Sequence, residues 1–202
     1  MNFGKTQLNW FDLLVLALVC VGILRGRKRG ISEELLDVFQ WLCIVVVGAI
    51  GYPPLGRMVA GFTRFPPFYA NVLAYAFIAI TLKCLFASVK RAAGEKLVQS
   101  DAFGRFEYYL GMMAGVTRFM CILIFALSFL HAKYISDSER AATAKMQADN
   151  FGSISFPTIG SLQQSIFYES VSGQFIRKNL RAQLVQPAQG GRAGGETMAR
   201  RR

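Results

Sequence analysis

One histidine and four scattered cysteines set the chemical reach of this chain. A Ser-His-Asp or Cys-His set needs a histidine held beside a nucleophile. His131 instead directly follows an apolar run, the place of an interfacial residue. Cys20, Cys43, Cys84 and Cys121 each lie inside an apolar run, far apart and with no C-x-x-C spacing. They read as small buried hydrophobes, not as a disulfide framework or a zinc site. A Walker loop and a dinucleotide fingerprint are both missing from the sequence. The expectation is a non-enzyme with no catalytic, cofactor-binding or metal-binding residues.

Arg118 is the informative charge. It falls near the middle of the apolar run 108–130. A cation at the bilayer centre costs about 2.5–3.5 kcal/mol on insertion scales, so it must face protein or water. Asp12 is expected nearer the outer face and Glu107 nearer the inner one, which leaves no carboxylate at its depth. Three arrangements remain: a reach towards Asp12, a bond to the end of an interrupted helix, or a polar cavity. The same run carries Gly111-x-x-x-Gly115, and Gly22-x-x-x-Gly26-x-x-x-Gly30 ends the first run. Lacking Cβ atoms, such faces let two helix backbones approach closely, with a partner in the same chain or another.

The elements that position these residues are apolar. Hydrophobic residues make up 53% of the chain and charged ones only 17%, with a mean hydropathy of +0.34. Soluble domains are less apolar and more charged. A net charge of +11 raises nucleic acid as a ligand. The cations gather at the ends of apolar runs, however, with no aromatic-interleaved basic helix, which argues against it. The expected fold is an all-α integral membrane protein with four transmembrane helices, over about 10–25, 35–52, 68–89 and 108–130. These form a module over 1–130. An extracytoplasmic tail over 131–185 carries a C-terminal amphipathic helix, and 186–202 is a disordered basic end.

The turn Arg25-Gly26-Arg27-Lys28-Arg29-Gly30 orients the module, because Lys and Arg beside spanning helices stay cytoplasmic. The first run lacks the charge order and small-residue cleavage site of a signal peptide, so it is read as retained. Ser32 is a good N-cap for the second helix, and Glu33, Glu34 and Asp37 fall in its first turns, where the dipole favours anions. Pro53-Pro54 should end that helix, leaving a stiff outer loop to Pro67. Lys83 is close enough to the inner interface to snorkel. Inner loops hold Arg25, Arg27, Lys28, Arg29, Lys90, Arg91, Lys96 and Arg105; outer segments hold Lys5, Arg57 and Arg64. Both termini are therefore expected outside the cytoplasm, although the tail is itself basic.

In the tail, Leu162, Ile166, Phe167, Val171, Phe175, Ile176, Leu180 and Leu184 recur at helical spacing, too polar a stretch to span. Such a helix lies on the outer membrane surface or packs on a neighbouring subunit. The expected partners are the lipid bilayer and either further copies of the chain or other membrane proteins.

Trp10-Phe11-Asp12, then Gly26-x-x-Arg29-Gly30, Glu34 and Trp41 resemble the opening block of the colicin V production protein (CvpA) family. Glu107, Leu110-Gly111, Gly115 and Arg118 are similar to its second block. Tyr108 stands where the family usually has Arg, and Phe119 where it has Gly. The resemblance implies a four-helix bacterial inner-membrane protein, associated with toxin production or export and with envelope homeostasis.

Overall fold

The computed structural model describes residues 9–63, 66–97, 106–133, 135, 137–151 and 157–186. Among these the secondary structure is entirely helical. Helix α1 runs Trp10–Thr63, α2 Pro67–Leu97, α3 Glu107–Ala132, α4 Asp137–Phe151, α5 Ile159–Gln164 and α6 Val171–Asn179. A π-helical turn, Ser165–Glu169, follows α5, and a 3-10 turn, Arg181–Gln183, follows α6. Three of the helices are long and apolar enough to cross a membrane: α1, α2 over Pro67–Ala92, and α3.

Helix α1 is two arms joined at one residue. Gly30 has φ 70 and ψ 173, outside helical geometry, and splits the element into 10–29 (α1a) and 31–63 (α1b). Positive φ is sterically easy only for glycine. On a continuous helix, residues 25 and 34 would be roughly 13 Å apart along the axis. Instead Arg25 and Arg29 both reach Oε1 of Glu34, at 3.8 and 3.7 Å. Phe11 and Val45 likewise share one core, so the arms double back on each other. The expected turn 25–30 is thus reduced to one residue. Arg and Lys are good helix formers, and the cationic run simply remains in α1a.

Two further boundaries differ from expectation. Helix α1b continues through Pro53 and Pro54 to Thr63. Each proline removes one backbone donor, but its fixed φ is already helical, so consecutive prolines weaken the helix without ending it. Helix α2 extends beyond 89 to Leu97. The expected fourth run matches α3 closely.

Arm α1b sits between α2 and α3. Trp41 meets Phe125 of α3 edge-on at 5.7 Å, and Lys83 of α2 lies 5.5 Å over the same indole. Lys83 is thus a cation–π partner of Trp41 and is itself exposed. Further along, fully buried Tyr75 packs among Tyr52, Phe125 and Phe129. Large apolar side chains such as Leu13, Ile50, Phe77 and Met113 face outward. An exposed apolar surface on this scale marks a membrane-facing protein.

The tail does not lie apart from the bundle. Ile166, Phe167, Ile176 and Leu184 join Phe11, Val45 and Leu127 in one core. The expected single amphipathic helix is divided at Ser170, which has extended backbone (φ −82, ψ 147). The Ser170 hydroxyl accepts from the Gly173 amide at 2.9 Å and starts α6 as an N-cap. Ile166, Phe167, Ile176 and Leu184 are thus covered by their own chain, whereas Val171 and Phe175 stay exposed. The polar α4 was not expected from periodicity; its Ala, Glu, Lys and Gln content favours helix without an apolar stripe. Of the expected basic end, 187–202 lies outside the described residues, as do Lys5, Arg64 and Arg105.

Candidate functional site: a buried ion-pair network and a docked tail

Two polar constellations occupy opposite ends of the bundle. The first lies under the α1 turn. Glu34 and Asp37 are one helical turn apart at the start of α1b, so both carboxylates project from one face. Arg118 of α3 meets that face. Its Nη1 lies 2.8 Å from Oε2 of Glu34 and 2.8 Å from Oδ2 of Asp37. Arg29 adds a second cation, 3.8 Å from Asp37 as well as 3.7 Å from Glu34. Lys90 of α2 pairs with Oδ1 of Asp37. The network therefore ties α1a, α1b, α2 and α3 together.

Burial decides its energetics. The Glu34 side chain is 0% exposed and that of Arg118 is 15% exposed. Removing one partner of a buried pair costs about 3–5 kcal/mol, because the other charge is stranded. The cations Arg25, Arg29, Lys90 and Arg118 surround two carboxylates, which leaves the cluster formally positive. Among the described residues Oε1 of Glu34 and Nε of Arg118 have no hydrogen-bond partner. The arrangement holds charge in place across four helical segments.

This overturns the expectation that no carboxylate shares the depth of Arg118. Asp12 is at the far end of α1a, in the second constellation, and Glu107 faces Gly30. Glu34 is the depth-matched partner because the fold-back at Gly30 starts α1b directly beside α3. Asp37 and Lys90 complete the network and are not among the expected site residues. The available signal was the spacing 34, 37, 41, which puts two carboxylates and the bundle-facing Trp41 on one face.

The glycines make this geometry possible. A Cβ on Gly22 would meet the Gly115 backbone at 3.0 Å, and one on Gly26 would strike the Gly111 carbonyl. A Cβ on Gly111 would lie 2.8 Å from the Gly30 carbonyl carbon. Both small-residue faces are thus consumed against each other, within one chain, as α1a and α3 run antiparallel. Of the expected motif residues, Gly26, Gly30, Gly111 and Gly115 form this seam. Arg29, Glu34 and Arg118 form the network, and Glu107 closes the seam at Gly30.

The second constellation docks the tail. The Asp12 carboxylate accepts from the Ser172 amide at 2.8 Å, the Val171 amide at 3.3 Å and the Asn9 amide at 3.1 Å. An anion at the first amides of α6 satisfies donors that the helix leaves open. Asn9 also donates to the Ser165 carbonyl at 3.1 Å. On the other side, the Tyr52 hydroxyl accepts from the Gln186 amide at 2.9 Å, and Nδ1 of His131 lies 2.9 Å from the Val185 carbonyl oxygen. His131 thus holds the segment that follows the 3-10 turn. Buried Ser128 donates to the carbonyls of Ile124 and Gln183, at 2.9 and 3.3 Å.

The family model described as colicin V production protein matches residues 11–174, a span that takes in the ion-pair network and Asp12 with its partners Val171 and Ser172. No curated protein and no solved structure matches the chain.

Proposed function

The chain belongs to the colicin V production protein family, and from that membership we propose a non-catalytic membrane scaffold that supports toxin production or secretion, or envelope homeostasis. In this proposal the protein sits in the bacterial inner membrane. Arms α1a and α1b cross separately, which gives four spans with α2 and α3. The basic turn lies on the cytoplasmic side, and both termini lie outside. The ion-pair network makes the bundle rigid, and the docked tail is the face offered to a secreted or envelope partner, or to further copies of the chain.

The observation that carries this reading is the Asp12 carboxylate on the α6 amides. It fixes a polar module to one end of an apolar bundle, where it presents a defined surface. The test uses a host lacking its own copy and compares the full chain, Asp12→Ala and a deletion of 161–184. Both variants should insert into the membrane yet lose toxin release or envelope integrity. Normal function in the deletion would contradict the scaffold.

An oligomeric pore or tension-gated channel is the alternative, favoured by the excess of cations around Glu34 and Asp37. Against it, the Arg118 guanidinium is already engaged by both carboxylates. Anion conductance in liposomes that Arg118→Ala abolishes would favour the pore.

A further inference from the structure

The cationic turn of α1a faces two ways. Arg25 and Arg29, one helical turn apart, point at Glu34. Arg27 and Lys28 fall between them in sequence and on a different side, where both are exposed. Neither is in an ion pair among the described residues. They line an open cleft of about 630 Å³ between α1a and α3, together with Leu24, Tyr108, Tyr109 and Met112. Tyr108 and Tyr109 are 59% and 66% exposed, so their phenol groups are not consumed by the fold.

We propose that this cleft binds the headgroup of an anionic glycerophospholipid. Three kinds of chemistry converge there. Arg27 and Lys28 supply two unneutralised cations for a phosphodiester. The two phenols supply hydrogen-bond donors of the sort that settle at membrane interfaces. Leu24 and Met112 continue the apolar surface on which the acyl chains lie. A free anion would use the first two features and leave the third unexplained. Glu34 and Asp37 do not compete, since Arg118 holds them inward, and Glu107 faces Gly30. The proposal rests on the membrane placement of the bundle.

The test is lipid binding to the full-length protein in detergent, followed by native mass spectrometry with phosphatidylglycerol, phosphatidylcholine and inorganic phosphate. Phosphatidylglycerol should bind in preference to phosphatidylcholine. At about 1 kcal/mol per cation, the double substitution Arg27→Gln, Lys28→Gln should weaken it roughly 30-fold. Arg57→Gln, at the other end of the bundle, should leave it unchanged. On the unaltered protein, raising salt should erode the preference, which keeps the proposal testable if the double variant misfolds. Equal binding of the two lipids, or a preference that survives loss of both cations, would overturn it. So would inorganic phosphate that displaces the lipid at equal concentration. A protein that needs detergent yet shows no lipid preference would sink the headgroup site alone; one that stays soluble without detergent would sink the membrane placement.

Discussion

Arg118 of α3 and Glu34 of α1b form a buried pair, Nη1 to Oε2 at 2.8 Å, with Glu34 wholly screened from solvent. Their sequence separation of 84 residues makes this pair a direct readout of the fold. It exists only if α1 doubles back at Gly30 and α3 enters the groove so formed.

Arg118→Ala leaves two carboxylates facing each other without the cation that lies 2.8 Å from both. The expected loss is about 3–5 kcal/mol of stability. Glu34→Gln should cost less, because Arg118 keeps Asp37. Combining Arg118→Ala with Glu34→Gln should be less damaging than the sum of the single changes, since position 34 then carries no charge to strand. Thermal unfolding of the purified protein in detergent measures all four forms. Strict additivity would mean that the two side chains do not interact.

At Gly30, φ of 70 and the Glu107 carboxyl both oppose a side chain. Gly30→Ala should therefore destabilise by about 1–2 kcal/mol. Gly26→Leu should be worse, because its Cβ meets backbone at Gly111 and the arms must part. Gly61→Ala has open space around the added carbon and should be neutral or slightly stabilising. The same unfolding measurement ranks them. Equal tolerance at residues 26 and 61 would contradict the seam.

Asp12→Asn keeps the shape of the tail clamp and removes its charge. Bonds to a charged acceptor contribute about 1.5–3 kcal/mol, so amide exchange at Val171 and Ser172 should speed up by roughly one to two orders of magnitude. Exchange within α3 around Leu123 should stay unchanged. Protection at Val171 and Ser172 that is indifferent to the substitution would place the clamp elsewhere.

How much of this was legible beforehand depends on what each residue had to satisfy. The apolar runs announced the bundle, because burial in lipid demands long stretches without charge. Gly22, Gly26, Gly111 and Gly115 announced close packing by their spacing, although spacing alone cannot say which helix answers. The turn was placed correctly and drawn too large, since nothing in Arg25 to Lys28 shows that a single positive-φ residue suffices. Arg118 is legible as a costly charge, while its partner is not. Glu34 and Asp37 fitted so well as N-terminal dipole residues that their shared face with Trp41 went unused. The tail was read as one helix because Leu162 to Leu184 keeps its period across Ser170. What breaks it is a capping hydroxyl, which periodicity does not register.

In the proposed topology α1a and α1b cross the membrane as a hairpin, with the basic turn on one side and the docked tail on the other. Its most direct test is single-cysteine labelling in intact cells with a membrane-impermeant maleimide, in a chain whose own cysteines are replaced by serine or alanine. Phe175→Cys, at an exposed position of α6, should label from outside, and Lys28→Cys only after the cytoplasm is opened. Labelling of both positions from the same side would contradict it.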